Sequence, residues 1–363
     1  MIGRGRLWIW GAIFCILFVA LYLVREVLLP FIAGMAVAYF LDPILDRLEK
    51  CRLSRLMATI ILTTTFFSLI IALITIVVPL LQGQVVSFVQ KLPVMIDAFV
   101  QWLLPFQQEL LNSIPKEQLP ELGHLYKTFG GQMVKWGIGL ARDIFDGGVA
   151  IFNVVSLIVI TPIVCFYLLR DWDMLVEKIN SWLPREYSDQ IREVLVEIDK
   201  TIARFVRGQM TVGLLLAVIY SVGLTMVGLD FGLLVGILTG ILSFIPYFGM
   251  FIGLLTASVI SFFQFGDLVS ILWVVGVFVL GQIVESVFLT PKLVGGAVGL
   301  HSVWVIFSLM AGGALFGFIG VLLAVPFAAI IGILTRFFLA QYLASAVYIG
   351  KVGSDTRDRG EKS

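Results

Sequence analysis

The chain has little charge and almost no histidine or cysteine. Only 13% of its 363 residues are charged, with two His and three Cys; soluble domains carry about 25% charged residues. Cys15, Cys51 and Cys165 lack metal-ligand spacing, two in apolar runs and one in a charged loop. Free thiols are therefore expected rather than a disulfide framework. No nucleophile–base motif, nucleotide-binding glycine loop, HExxH pair or Cys/His cluster is present. These absences predict no enzymatic activity, no cofactor and no bound metal, and they disfavour ATP-driven pumping. Lys plus Arg number 25 against 24 Asp plus Glu, a net charge of +1. Nucleic-acid binding thus has no electrostatic support.

Apolar sequence is what remains. Hydrophobic residues make up 60% of the chain, and mean hydropathy is +1.03. Several runs exceed the ~18 apolar residues that mark a transmembrane helix. The predicted fold class is all-α, a polytopic helical membrane protein with about eight membrane segments. Membrane lipids are its first expected partner.

Residues 1–81 read as N-terminal membrane helices. Arg4 and Arg6 precede the apolar Trp8–Val24. No small-residue cleavage site follows, so a retained helix is expected rather than a signal peptide. Pro30 opens the next run in a position that a helix's first turn tolerates. Asp42-Pro43 reads as that run's end, and Arg47, Lys50, Arg52 and Arg55 then favour the cytoplasmic side. Met57–Leu81 is the third span. Residues 82–148 carry scattered prolines and amphipathic patches. An extracytoplasmic helical cap on the membrane surface is expected there, with a soluble binding domain as the alternative.

Residues 149–170 are a further transmembrane helix. Residues 171–208 are the most hydrophilic part, and seven basic residues fall between Arg170 and Arg207. Ile191, Val194, Leu195, Ile198, Ile202 and Phe205 repeat at helical spacing. This predicts a cytoplasmic amphipathic helix that docks on the membrane domain or on a neighbouring subunit, its charges a solvated face. Residues 209–340 form a C-terminal membrane repeat region, and 341–363 a polar cytoplasmic tail.

Two runs in the repeat region overshoot the bilayer. Gly232–Phe263 has 32 residues and Val303–Leu339 has 37. As one helix the first would be about 48 Å long, against a hydrocarbon layer of about 30 Å. Each has a proline near its midpoint, Pro246 and Pro326. Gly240-Ile-Leu-Ser-Phe-Ile-Pro246 matches Gly320-Val-Leu-Leu-Ala-Val-Pro326, and Gly232 matches Gly312, at one offset of 80 residues. Re-entrant hairpins broken at the prolines are one reading. A span plus a hairpin then repeats with opposite orientation, the plan of many secondary transporters, and Lys292 lies inside. Tilted, kinked spans are the other reading, with Lys292 outside. Both readings put the two termini in the cytoplasm. Gly232, Gly236 and Gly240, like Gly313 and Gly317, have the small-xxx-small spacing of close helix packing.

Between the long runs, Gly281–His301 interrupts a lipid-compatible segment with an acid. Gln282, Glu285, Ser286 and Leu289 fall at i, i+3, i+4 and i+7, one face of an α-helix. An acid at membrane depth is costly and turns inward or toward water. Glu285 is thus a candidate to bind a cation or proton, and Gln282 to orient a polar substrate; a structural hydrogen bond is the alternative. Pro291-Lys292 is expected to end the helix. Gly295, Gly296 and Gly299 permit irregular backbone, which at membrane depth lines a cavity or is buried in protein. His301 either titrates near neutral pH or caps the next segment. With the hairpin tip at Pro246 and Gly249 and the break at Pro326, these residues make the candidate transport site. Arg170 and Asp171 form either a cytoplasmic gate pair or a surface ion pair.

Several stretches together resemble the autoinducer-2 exporter family of membrane transporters, also called the PerM-like permease family. They are LLPFIAGMAVAYFLDPILDRLEK near the start, FYLLRD at Phe166–Asp171, FVRGQ at Phe205–Gln209, SFIPYFG at Ser243–Gly249, PKLVGGAVGLH at Pro291–His301 and GFIGVLLAVP ending at Pro326. The resemblance covers nearly the whole chain. Where the family often follows Leu-His with Pro, this chain has Ser302. The resemblance implies about eight membrane segments, a bacterial inner-membrane location and homo-oligomers. It also implies either export of a small signalling furanone or exchange of sodium or lithium for protons. The leading expectation is a secondary transporter exporting a small polar organic solute. A monovalent cation/proton antiporter and a non-transporting membrane scaffold are the alternatives.

Overall fold

The structure is a computed structural model that describes residues 27–113, 148–294 and 299–345, with positions 16, 19, 20, 22–24 and 348. Most of the first expected helix, the 114–147 part of the expected cap, Gly295, Gly296 and the tail from 349 lie outside these residues. Among them the fold is helical without strands. Among the described residues seven helices are long and apolar enough to cross a membrane, and Gly232–Leu242 is a shorter apolar helix. The chain is a multi-pass helical membrane protein.

Helix α1 is Leu28–Lys50, α2 Arg55–Ser113, α3 Gly148–Trp182 and α4 Ser188–Met226. Helix α5 is Gly232–Leu242, α6 Phe248–Phe265, and α7 Leu268–Ile283 runs on as a π-wound segment, Val284–Val294. Helix α8 is Ser302–Leu343. Pro30 sits in the first turn of α1 as expected, and Arg47 and Lys50 in its last turn complement the helix dipole. Pro43, however, lies inside α1 rather than at its end. Fully buried Leu41 and Leu45 flank it, and their packing outweighs the lost backbone bond. Leu272, Trp273 and Leu280 of α7 and Phe307 and Met310 of α8 stand exposed. Apolar surface on that scale calls for lipid contact.

The chain divides into two compact units, one of residues 1–55, 167–211 and 289–363, the other of 56–166 and 212–288. The second unit is built on glycine contacts. A Cβ on Gly236 would meet the Ser221 backbone nitrogen at 2.2 Å, and one on Gly240 would meet Ala217 at 2.4 Å. Here the small-xxx-small spacing does what it predicts, letting α5 lie directly on α4. The chain then turns at Ser243–Tyr247, with Tyr247 left-handed at φ 67°. Gly253 faces Thr239 and Gly249 faces Ser243, so α5 and α6 form an antiparallel hairpin with Pro246 in its turn. The loop before α5 is fastened in place. The Lys91 ammonium pairs with Asp230 at 3.0 Å, and Gln264 accepts from the Asp230 N–H at 2.7 Å.

In the first unit the second long run also reverses, but not at Pro326. Gly317 adopts φ 62°, ψ −139°, and Pro326 lies within the helix that follows. A Cβ on Gly312 would meet the Gly320 carbonyl oxygen at 2.4 Å. A straight helix would separate these residues by about 12 Å, so the arms fold back on each other. Gly317, expected as a packing residue, is the turn itself; only glycine adopts this conformation readily. The proline is tolerated among buried Ala324, Val325 and Ala329. The matched Gly240 and Gly320 therefore fall on opposite sides of their turns. The order of span then hairpin recurs, but the 80-residue register does not.

Candidate functional site

Glu285 lies in the second unit. Asp267 caps α7, its carboxylate accepting from the Ser270 N–H at 3.0 Å. From Val284 the winding widens to a π-helix, a form common at functional sites. This changes the expected face. Gln282 and Glu285 are half-buried, while Ser286 is exposed. The Ser286 hydroxyl donates back to the Gln282 carbonyl at 2.8 Å, which occupies its proton within the helix. The winding also corrects the expected helix end, since Pro291 lies inside the π segment, which runs to Val294. A proline cannot bond to, and clashes with, the carbonyl four residues back. In a π-helix the bonds run to the carbonyl five residues back, so the bond to that carbonyl is not made there in any case.

Beside Glu285 stands a residue the sequence reading missed. Tyr220 of α4 is fully buried, stacked on Phe278 at 4.7 Å between ring centroids and laid on Gly281. Its hydroxyl has no hydrogen-bond partner among the described residues, and the Glu285 carboxylate is close enough to act on it electrostatically. The only sequence signal was a tyrosine inside an apolar span. An amide, a carboxylate and an unpartnered phenol are thus gathered at the start of the π segment.

The other candidates are placed separately. Pro246 lies in the α5–α6 turn and Gly249 in the first turn of α6, both in the second unit. Lys292 and Pro291 are exposed in the first unit. Gly299 is left-handed at φ 55°, and His301 caps α8, its Nδ1 accepting from the Val303 N–H at 3.3 Å. The Arg170 guanidinium donates to Asp171 at 2.6 and 2.7 Å and lies 4.7 Å from the Tyr167 ring centroid. That ion pair joins neighbours on one helix. Cys51 and Cys165 are free thiols.

The first unit also holds a cavity of about 110 Å³ lined by α1, α3 and α4. Tyr39, Asp42, Trp172, Asp199, Lys200 and Arg207 supply its polar and aromatic wall. Nearby, Arg55 ties the rim together, donating to the Leu169 carbonyl at 3.0 Å and pairing with Asp173. The sequence reading placed the α4 charges on a solvated face. Asp42, read from the sequence as the end of an apolar run, lies instead inside α1.

Long apolar helices and helical hairpins define a multi-pass helical membrane protein. Comparison with known proteins narrows the class. A model of the AI-2E family transporter matches residues 12–340; the chain belongs to this family. It is 26% identical to YrrI of Bacillus subtilis (strain 168) over 87% of this chain and 88% of that one. It is 25% identical to PerM of Escherichia coli (strain K12), covering 84% and 85%. To sll0060 of Synechocystis the identity is 27%, over 84% of each. YrrI and sll0060 carry the names of transport proteins, and PerM that of a permease.

Proposed function

We propose that the chain is a secondary transporter exporting a small polar organic solute, such as an autoinducer-2-like signal, from a bacterial cell. It sits in the inner membrane as a homo-oligomer with both termini cytoplasmic. Residues 82–148 cap the outer side, 171–208 project into the cytoplasm with Arg170 and Asp171 as a gate pair, and 209–340 carry the transport machinery. The observation that carries this reading is the half-buried Glu285 in a π-wound stretch, beside Gln282 and the unpartnered Tyr220 hydroxyl. Polar groups kept within apolar helices at a winding defect are retained for function. Reconstituted transport with a solute panel and a pH-sensitive dye tests it. Saturable solute efflux is expected; liposomes that move neither solute nor ion would leave a scaffold role instead.

Glu285 also supports a second reading, a monovalent cation/proton antiporter with this carboxylate exchanging the ions. Glu285→Gln then abolishes proton-coupled sodium or lithium flux, while undiminished flux removes Glu285 from the mechanism. Sidedness is tested by Lys292→Cys. With re-entrant hairpins, the thiol reacts with an impermeant reagent only from the cytoplasmic side. Reaction from outside sinks that topology.

A further inference from the structure

The cavity in the first unit has a charge arrangement that its own side chains leave incomplete. The Tyr39 hydroxyl donates to Asp199 at 3.0 Å, and the Trp172 ring stands edge-on to Tyr39, 5.9 Å between centroids. Tyr39 and Asp199 are thus partners in one hydrogen bond. Asp42 and Arg207 are both half-buried, and they act on each other electrostatically, as Asp46, Asp199 and Arg55 also act on Asp42. Yet no ion pair within 4.0 Å joins Asp42 or Arg207 to any described side chain. Half-buried opposite charges held apart across a gap are costly to desolvate, and close pairing offsets that cost. A molecule that places a cation on Asp42 and an anion on Arg207 supplies the pairing.

Size and net charge narrow the class. The cavity of about 110 Å³ is well below the ~300 Å³ at which drug-sized pockets begin. A cavity of about 150 Å³ takes a benzene-sized molecule, so there is room here for one small solute. Asp42 and Asp199 balance Lys200 and Arg207, which favours a ligand of zero net charge. Met35, Ala38 and Ala203 add an apolar wall that suits a short aliphatic substituent. We propose that this cavity binds a small zwitterion, an α-amino acid with a short side chain. Its ammonium pairs with Asp42 and its carboxylate with Arg207. The site is separate from Glu285 and does not depend on the role given to that residue.

Binding to the full-length protein in lipid nanodiscs tests this, by calorimetry and by ligand-induced shift of the thermal midpoint. The probes are alanine, acetate and ethylammonium. Saturable alanine binding is expected, with each single-charge fragment at least about tenfold weaker, since each makes one of the two charged contacts. Asp42→Asn and Arg207→Gln should each weaken alanine binding at least about tenfold. Arg207→Lys, which keeps the charge but not the planar fork, should retain part of it and guards against a variant that fails to fold. Absence of alanine binding to the wild type overturns the proposal, leaving a cavity that holds water only. So does acetate binding as tightly as alanine, or alanine binding unchanged in both charge-removing variants.

Discussion

The Tyr220 ring lies so close to Gly281 that a methyl group on that glycine would stand 2.3 Å from the ring carbon Cε1 and 2.7 Å from the hydroxyl oxygen. Phe278, stacked on the Tyr220 ring, limits its retreat. Glycine is needed here for space, and it lets a buried phenol sit one turn from Glu285.

Gly281→Ala should therefore destabilise the protein by about 1–3 kcal/mol, the usual cost of overpacking. The reading is a lowered thermal midpoint in detergent. Adding Tyr220→Leu should relieve part of the loss, so the double variant is more stable than the sum of the singles predicts. Strict additivity would place the strain elsewhere.

The α4–α5 contact is tighter, because backbone faces backbone. Gly236→Ala puts a methyl group 2.2 Å from the Ser221 nitrogen, an atom that cannot swing aside. Its thermal midpoint should fall further than that of Gly281→Ala. Ile241, next to Gly240 but with its side chain exposed at 63%, should accept Ile241→Val within about 0.5 kcal/mol.

The second hairpin separates two residue types that both suggest a break. Gly317→Ala should cost about 1–3 kcal/mol, because its dihedral angles suit glycine alone. Pro326→Ala lies inside a helix, restores a backbone donor and should not lower stability. Equal losses in thermal melts of the two variants would argue that the turn is not at Gly317.

Asp267 gives a dependence on pH with a defined sign. Hydrogen bonds from the Ser270 side chain and backbone hold its carboxyl below the usual carboxylate range. The unfolded value is about 3.9, so its stabilisation is complete above about pH 5 and is lost as pH falls through the lower folded value. The midpoint difference between wild type and Asp267→Ala should be flat from neutral pH to about pH 5 and shrink below about pH 4. Asp267→Asn, which still caps, should lose the acid-dependent part alone.

Much of this fold could be read from residue order. Pro246 within an overlong apolar run marks a true turn, and Gly232, Gly236 and Gly240 lie on α4 as their spacing predicts. Gly317 was hidden by company. With 35 glycines in the chain, nothing local distinguishes a turn residue from a packing residue, and Pro326 was the stronger punctuation. The π winding was equally hidden, because i, i+3 and i+4 spacing presupposes the α period that Val284–Val294 abandons. The cavity was missed for a different reason. Tyr39 and Asp199 are 160 residues apart, and no periodicity within either helix reports such a meeting.

That separation also sets an order of assembly. Each glycine contact between α5 and its neighbours joins segments that leave the ribosome close together, so the second unit's hairpin can close as it is made. The Tyr39–Asp199 bond instead requires α1 to wait in the bilayer while some 160 residues are synthesised. Closing so long a loop is slow to be rewarded. The charged chamber between α1, α3 and α4 is therefore a late product of biogenesis, and newly inserted chains stalled before Arg207 would lack it altogether.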